Sequence, residues 1–174
     1  GVPAEKMILD HNMYTWSTAA RAAYRSDGIR YDTAPVELNR HELSERVNAG
    51  SELILYGYLP LMKTQQCPIG NYVGGKDGHK FCTERSNEDL YFLRDRKGVK
   101  FLLMTDCERC VCTILNGKPL FTLKFYDEIL ESTTGLVRLD FTKEGPGRAE
   151  RIAKAYGEMT ADAEQMSPAT RNLL

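Results

Sequence analysis

The first 66 of the chain's 174 residues contain no cysteine, and all five cysteines fall between positions 67 and 112. An odd count crowded into one window argues against a closed disulfide framework and for a reducing compartment, expected to be the cytoplasm. Long apolar runs are missing as well. The longest, residues 53–62, covers ten positions, whereas a membrane-crossing helix needs about 20. Charge of one sign is absent too: 23 Lys and Arg face 24 Asp and Glu, a net of -1. Composition therefore forces no membrane partner, and it neither requires nor excludes nucleic acid. The N-terminus GVPAEK lacks the basic-plus-apolar layout of a signal peptide and has no start methionine; Gly1 reads as an expression scar or a cut site. There is no internal repeat, no G-x-S-x-G and no H-E-x-x-H, which removes the signatures of a nucleophile elbow and of a zinc-protease helix. The glycine-rich residues 70–78 carry no Gly-Lys-Ser/Thr, so they are no phosphate loop.

What is there begins with alternating strand and helix signals. Met7, Ile8 and Leu9 read as a short buried strand ending in Asp10, His11 and Asn12. Trp16, Ala19, Ala20, Ala23 and Tyr24 recur at helical spacing, with Gly28 at the stop. A brief strand ends near Thr33. Asn39 and Glu42 form a capping-box pattern ahead of a helix with Leu43 and Val47 on one face and Gly50 at its end. Leu53 to Tyr56 is the third strand, broken by Gly57 and Pro60. Strand, helix, strand, helix, strand at this tempo predicts βαβ units and a parallel sheet. Further on, residues 90–93 and 99–104 predict a hairpin, residues 110–115 a strand, and Asn116-Gly117 a hairpin turn. Residues 125–130 read as helical. Val137, Leu139 and Phe141 alternate with Arg138 and Asp140 as a half-buried strand, and Gly145-Pro146 opens a last helix carrying Ile152, Ala155 and Tyr156.

Cys107-Glu108-Arg109-Cys110 puts two thiols at the spacing that lets both reach one metal. Cys67 and Cys82 can complete a four-thiolate site, which suits zinc or an iron–sulfur cluster. Cys112 shares a strand face with Ile114 and reads as core. The alternative is a set of buried thiols kept for packing alone. His79 reads as exposed in a glycine-rich loop and His41 as a surface helix residue, so neither makes a persuasive partner for a cysteine nucleophile.

Five stretches in order, LDHNMYTWS, TAPVELNRHEL, YGYLPLMKTQQCPIGN, LRDRKGVKF and CERCVCTILNGKPL, resemble peptidase family U thirty-two, the collagenase-like peptidases. The likeness runs from about Lys6 to Phe141 and covers only part of a family member. It implies the second half of a TIM-type barrel, that is, an α/β fold of βα units over residues 1–66. A small α+β cysteine-bearing module would follow over residues 67–160, then a tail, residues 161–174. In such a barrel the working residues lie just past the strands' C-terminal ends, which singles out Asp10, His11, Asn12, Glu37, Tyr56 and Gly57. Asn12, Glu37 and Tyr56 are the expected catalytic residues, and Cys67, Cys82, Cys107 and Cys110 the expected ligands of zinc or a four-iron four-sulfur cluster. The chain departs from the family at Ser17, where asparagine is usual. It also has Phe121 where the branch of oxygen-independent hydroxylases places its last cluster ligand. The resemblance implies a cytoplasmic peptidase or a metal-dependent or iron–sulfur-dependent enzyme acting on an unspecified substrate. The reading from another class is a non-catalytic, metal-stabilised module that docks a partner or the rest of a parent protein. A partial barrel exposes two sheet edges, which predicts self-association of the fragment.

Overall fold

In the computed structural model of the chain, residues 1–72, 90–123 and 136–161 are described. The chain divides into two compact units, one built from Gly1–Gly57 together with the stretch from Phe121 on, the other from Tyr58–Leu120. The break thus falls at Gly57, ten residues ahead of the Cys67 boundary expected from sequence.

In chain order the first unit holds β1 (Ile8–Leu9), α1 (Thr18–Ser26), β2 (Tyr31–Thr33), α2 (Arg40–Glu45) and β3 (Ser51–Gly57). The second holds β4 (Pro60–Thr64), α3 (Pro68–Tyr72), β5 (Tyr91–Arg94), β6 (Lys100–Asp106) and β7 (Val111–Leu115). The chain then forms β8 (Leu120–Phe121), β9 (Leu136–Asp140) and α4 (Pro146–Ala161). Residues 125–130 and Cys82 lie outside the described residues.

β1, β2 and β3 pair in parallel, Leu9 opposite Asp32 and Thr33 opposite Glu52, and β9 adds in parallel to β3. The sheet has five strands, in the order β1-β2-β3-β8 with β9 also on β3. The expected partial TIM-type barrel is not formed. Among the described residues no barrel closes, and the strands do not continue as βα units. The physical reason lies after β3: a two-residue link, Tyr58 and Leu59, leads directly into β4, with no crossover helix. The chain then runs into a separate antiparallel sheet, β4-β7-β6-β5.

Capping fixes α1 and α2. The Ser17 side chain accepts the Ala20 N–H at 3.1 Å. Asn39 Oδ1 accepts the Glu42 N–H at 3.1 Å while Glu42 Oε2 accepts the Asn39 N–H at 2.8 Å, the expected capping box. Such a cap contributes about 1 kcal/mol. α2 stops at Glu45, well before Gly50, because Arg46 turns to extended backbone and sends its guanidinium into the interior. Arg21, not an apolar residue, is the buried side chain of α1.

The first unit's core joins Leu53, Leu55 and Tyr56 of β3 to Leu123 and to Ile152, Ala155 and Tyr156 of α4. A bulge makes Leu55 the extra residue between Ile54↔Arg138 and Tyr56↔Leu139. The Leu55 carbonyl accepts from the Thr122 N–H at 3.2 Å, the Thr122 hydroxyl at 3.0 Å and the Tyr156 hydroxyl at 2.8 Å, so the ladder break leaves no orphan acceptor.

In the second unit Ile69, Leu103, Cys112 and Ile114 form the core, with Cys67, Tyr91 and Phe101 against it. Pro60 ends nothing; it opens the edge strand β4, opposite Leu115, where a missing N–H is tolerated. The predicted Asn116-Gly117 hairpin turn is also corrected. β7 pairs with β4 and β6, and β8 belongs to the other sheet. Gly117 is demanded by space: a Cβ there would meet Val99 Cγ1 at 2.5 Å. Among the described residues no helix is long and apolar enough to cross a membrane.

Candidate functional site

Parallel pairing sets the carboxyl ends of β1 and β2 against the first residues of β3, beside β9, and one guanidinium ties them together. Arg138 lies on β9, one residue from Val137 and Leu139, so alternation turns it to the opposite sheet face. Its Nη1 donates to Glu52 Oε1 at 2.8 Å and to Thr33 Oγ1 at 3.4 Å, and Nη2 donates to Asp10 Oδ1 at 2.9 Å. The Thr33 hydroxyl also donates to Glu52 Oε1, at 2.7 Å. Nε lies 3.2 Å from Asp140 Oδ1 as an ion pair without hydrogen-bond geometry, and it has no hydrogen-bond partner. His11 Nδ1 lies 3.1 Å from Asp10 Oδ1.

Three carboxylates thus surround one cation. Burial works to raise the Asp10 pKa, but the Arg138 hydrogen bond, the His11 backbone N–H and the two neighbouring charges outweigh it and hold the carboxyl below its ordinary value. For Arg138 burial works downward, and Asp10, Asp140 and Glu52 together push its pKa above the usual arginine value. The group is fixed, charged and partly open: the Arg138 side chain is 28% exposed and that of Asp10 46%. Gly57 makes room for it. Its φ is 154°, and a Cβ would stand 2.8 Å from Asp140 Cβ.

Of the expected catalytic residues, Tyr56 is buried between Phe121 and Phe141, with ring centroids 5.9 and 5.4 Å away. Its hydroxyl donates to Glu144 Oε1 at 2.6 Å. Burial would raise the Glu144 pKa, yet that hydrogen bond and backbone N–H groups of residues 142–144 hold it low. Asn12 is exposed in a 3-10 turn, His11–Met13, and Glu37 is exposed between β2 and α2. Among the described residues neither hydrogen-bonds to the other or to Tyr56. The structure instead gathers Asp10, Thr33, Glu52, Arg138 and Asp140. Asp10 stood out in the sequence as a strand end; Arg138 was legible only as the polar half of an alternating strand.

The thiols occupy one end of the antiparallel sheet. Asp106 pairs with Val111, so Cys107–Cys110 is the four-residue tip of the β6–β7 hairpin. The tip is held by the Arg109 N–H donating to Asp106 Oδ1 at 3.1 Å, and Cys110 takes a left-handed backbone, φ 52°. Both Cys107 and Cys110 are exposed, whereas Cys112 is fully buried beside Ile114. Thr64 on β4 faces Cys112. Cys67, three residues past Thr64, is therefore carried to the same sheet end as Cys110, two residues before Cys112. The Cys67 Sγ accepts the Gly70 N–H at 3.4 Å. Among the described residues no group of three or more His, Cys, Asp or Glu is arranged to hold a metal ion, and Cys82 is not among them.

No family model, no curated protein and no solved structure matches the chain.

Proposed function

We propose that the chain is part of a cytoplasmic enzyme resembling the collagenase-like peptidases. Its antiparallel unit carries a thiolate-bound metal centre. The reading is supported above all by one observation: Cys107 and Cys110 stand exposed on a hairpin tip, at the end of the sheet where β4 delivers Cys67. Cys67, Cys107 and Cys110 would hold the metal, with Cys82 joining them on sequence grounds. The all-sulfur donor set suits zinc or a four-iron four-sulfur cluster. When bound, zinc supplies Lewis acidity or folding energy, and a cluster supplies one-electron chemistry. In the parallel unit the chain's own residues orient the reacting groups. Arg138 fixes the Asp10 and Glu52 carboxylates, Asp10 in turn holds His11 Nδ1, and the ring's other nitrogen is left for proton transfer.

Anaerobic purification followed by elemental analysis tests the metal centre. Stoichiometric iron with sulfide, or stoichiometric zinc, is expected in the wild type. Cys107→Ser and Cys110→Ser should each lower metal content and melting temperature together. Wild-type protein prepared this way and free of both metals would overturn the proposal. Stoichiometric zinc in a wild type that hydrolyses no peptide would favour the non-catalytic docking module.

A further inference from the structure

A shallow, open cleft lies between α1 and β2 in the first unit. Its charged lining is Arg21, Arg25, Arg30 and Asp32, with the Tyr24 and Tyr31 rings beside them. Three cations therefore line the cleft with one carboxylate, and that carboxylate is fully engaged. Asp32 Oδ1 accepts the Ser51 hydroxyl at 2.8 Å and lies 3.3 Å from Arg21 Nη2. Asp32 Oδ2 accepts from the Thr15 hydroxyl and from Arg46.

Arg21 is also spent: it donates to the Val47 and Ala49 carbonyls. Arg25 donates to the Ala49 carbonyl at 3.0 Å, its one side-chain hydrogen bond among the described residues. Arg30 is exposed and makes no side-chain hydrogen bond or ion pair among the described residues. Positive charge thus accumulates on one wall faster than the protein neutralises it. Burial above all lowers the Arg21 pKa, with Asp32 opposing and with Arg46 and Arg25 adding like-charge repulsion.

We propose that this cleft binds a phosphate group, with Arg30 and Arg25 as its guanidinium ligands and the Tyr31 hydroxyl at its edge. A guanidinium presents paired N–H donors that match two oxygens of a phosphate. A phosphate carries up to two negative charges, which suits two under-used arginines better than a single carboxylate would. The source is either a free phosphate compound or an RNA backbone, and the two share this chemistry.

Titration of the isotopically labelled chain with inorganic phosphate, followed by amide NMR, tests the site. Phosphate should shift the signals of Ile29, Arg30 and Tyr31, while acetate at equal ionic strength leaves them in place. Arg30→Ala should weaken binding roughly tenfold, about 1.4 kcal/mol, with an unchanged melting temperature, because the side chain is exposed. Arg25→Ala should weaken it in the same direction. A single-stranded RNA that shifts the same amides and is displaced by phosphate identifies a backbone source. RNA without effect, beside binding of free phosphate, identifies a small phosphate compound. Phosphate that moves none of these amides, or acetate acting equally, or phosphate binding Arg30→Ala as tightly as wild type, overturns the proposal.

Discussion

The parallel unit keeps one charged group, Asp32 with Arg21 and Arg46, in its interior, whereas the core of the antiparallel unit is apolar. In the first, Asp32 is 4% exposed and is held by Arg21 and Arg46, whose side chains are 7% and 5% exposed. In the second, the ion pair of Arg109 with Asp106 sits on a hairpin tip with the arginine side chain 82% exposed, and the interior is filled by Ile69, Leu103, Cys112 and Ile114. The difference follows from architecture. Short parallel strands followed by short helices leave loop carbonyls between the elements, such as those of Thr15, Val47 and Ala49. Long cationic side chains satisfy them from inside. An antiparallel meander satisfies its backbone by ladder pairing and needs only an apolar face. A charge is therefore a structural part in one unit and a surface feature in the other.

The sharpest way to break that contrast is Asp32→Ala. Removing the carboxylate leaves two guanidiniums buried without their counter-charge, and we expect a loss of about 3–5 kcal/mol, read by urea denaturation. The wild type should also lose this stability in acid. Burial works to raise the Asp32 pKa, but hydrogen bonds from Thr15 and Ser51 and the charges of Arg46 and Arg21 hold it below its ordinary value. A folded pKa below the unfolded one stabilises above about pH 4 and the gain is lost as pH falls through the folded value. A stability difference between variant and wild type that stays constant down to strongly acid pH would show that Asp32 is not the anchor.

A smaller effect is expected at Arg138→Met. The substitution leaves the Asp10, Glu52 and Asp140 carboxylates facing one another with no cation between them. We expect a cost of about 1–3 kcal/mol at neutral pH. Because Arg138 helps to hold the Asp10 pKa low, the gap between variant and wild type should shrink on acidification, as Asp10 takes up its proton. Calorimetric melting temperatures at pH 7 and at pH 3 check the sign. A gap that widens in acid contradicts the assignment.

How much of this could be read from the chain is decided by which kind of residue carried the signal. The strands and caps were legible because they obey local rules. Leu53 to Tyr56 is a run of apolar, β-branched or aromatic residues, and Asn39 with Glu42 is a box of two residues. The route after β3 was not legible, because Pro60 is both a strand breaker and a good first residue of an edge strand, and only its partner Leu115 decides. That single ambiguity separates the expected barrel from the observed open sheet and meander. The burial of Arg21 was hidden for a related reason. Helical periodicity pointed to Trp16, Ala19 and Ala23, which the fold leaves exposed, while the residue it buries answers to Asp32 and to carbonyls 26 and 28 positions away. The candidate site divides along the same line. Asp10 was visible as a strand end, but Glu52 and Arg138 meet only through the register of β3 on β9, across 86 positions.

The smallest effects should come from the antiparallel unit, and there the two kinds of position separate. Cys112 has no exposed surface, so Cys112→Ala removes a buried sulfur from among Ile69, Leu103 and Ile114 and should cost about 1 kcal/mol in transfer alone. Asp106→Ala loses an exposed pair with Arg109 and one turn hydrogen bond at 3.1 Å, and should cost about 0.5 kcal/mol. Their effects on metal content should run the other way. Cys112 points into the core with Ile114, away from the exposed Cys107–Cys110 tip, so its removal should leave bound metal unchanged. Asp106 shapes the tip itself, so Asp106→Ala should loosen metal retention against a chelator while barely moving the melting temperature. If Cys112→Ala instead strips the metal and Asp106→Ala does not, the centre is built on the inner face of the sheet and not at the hairpin tip.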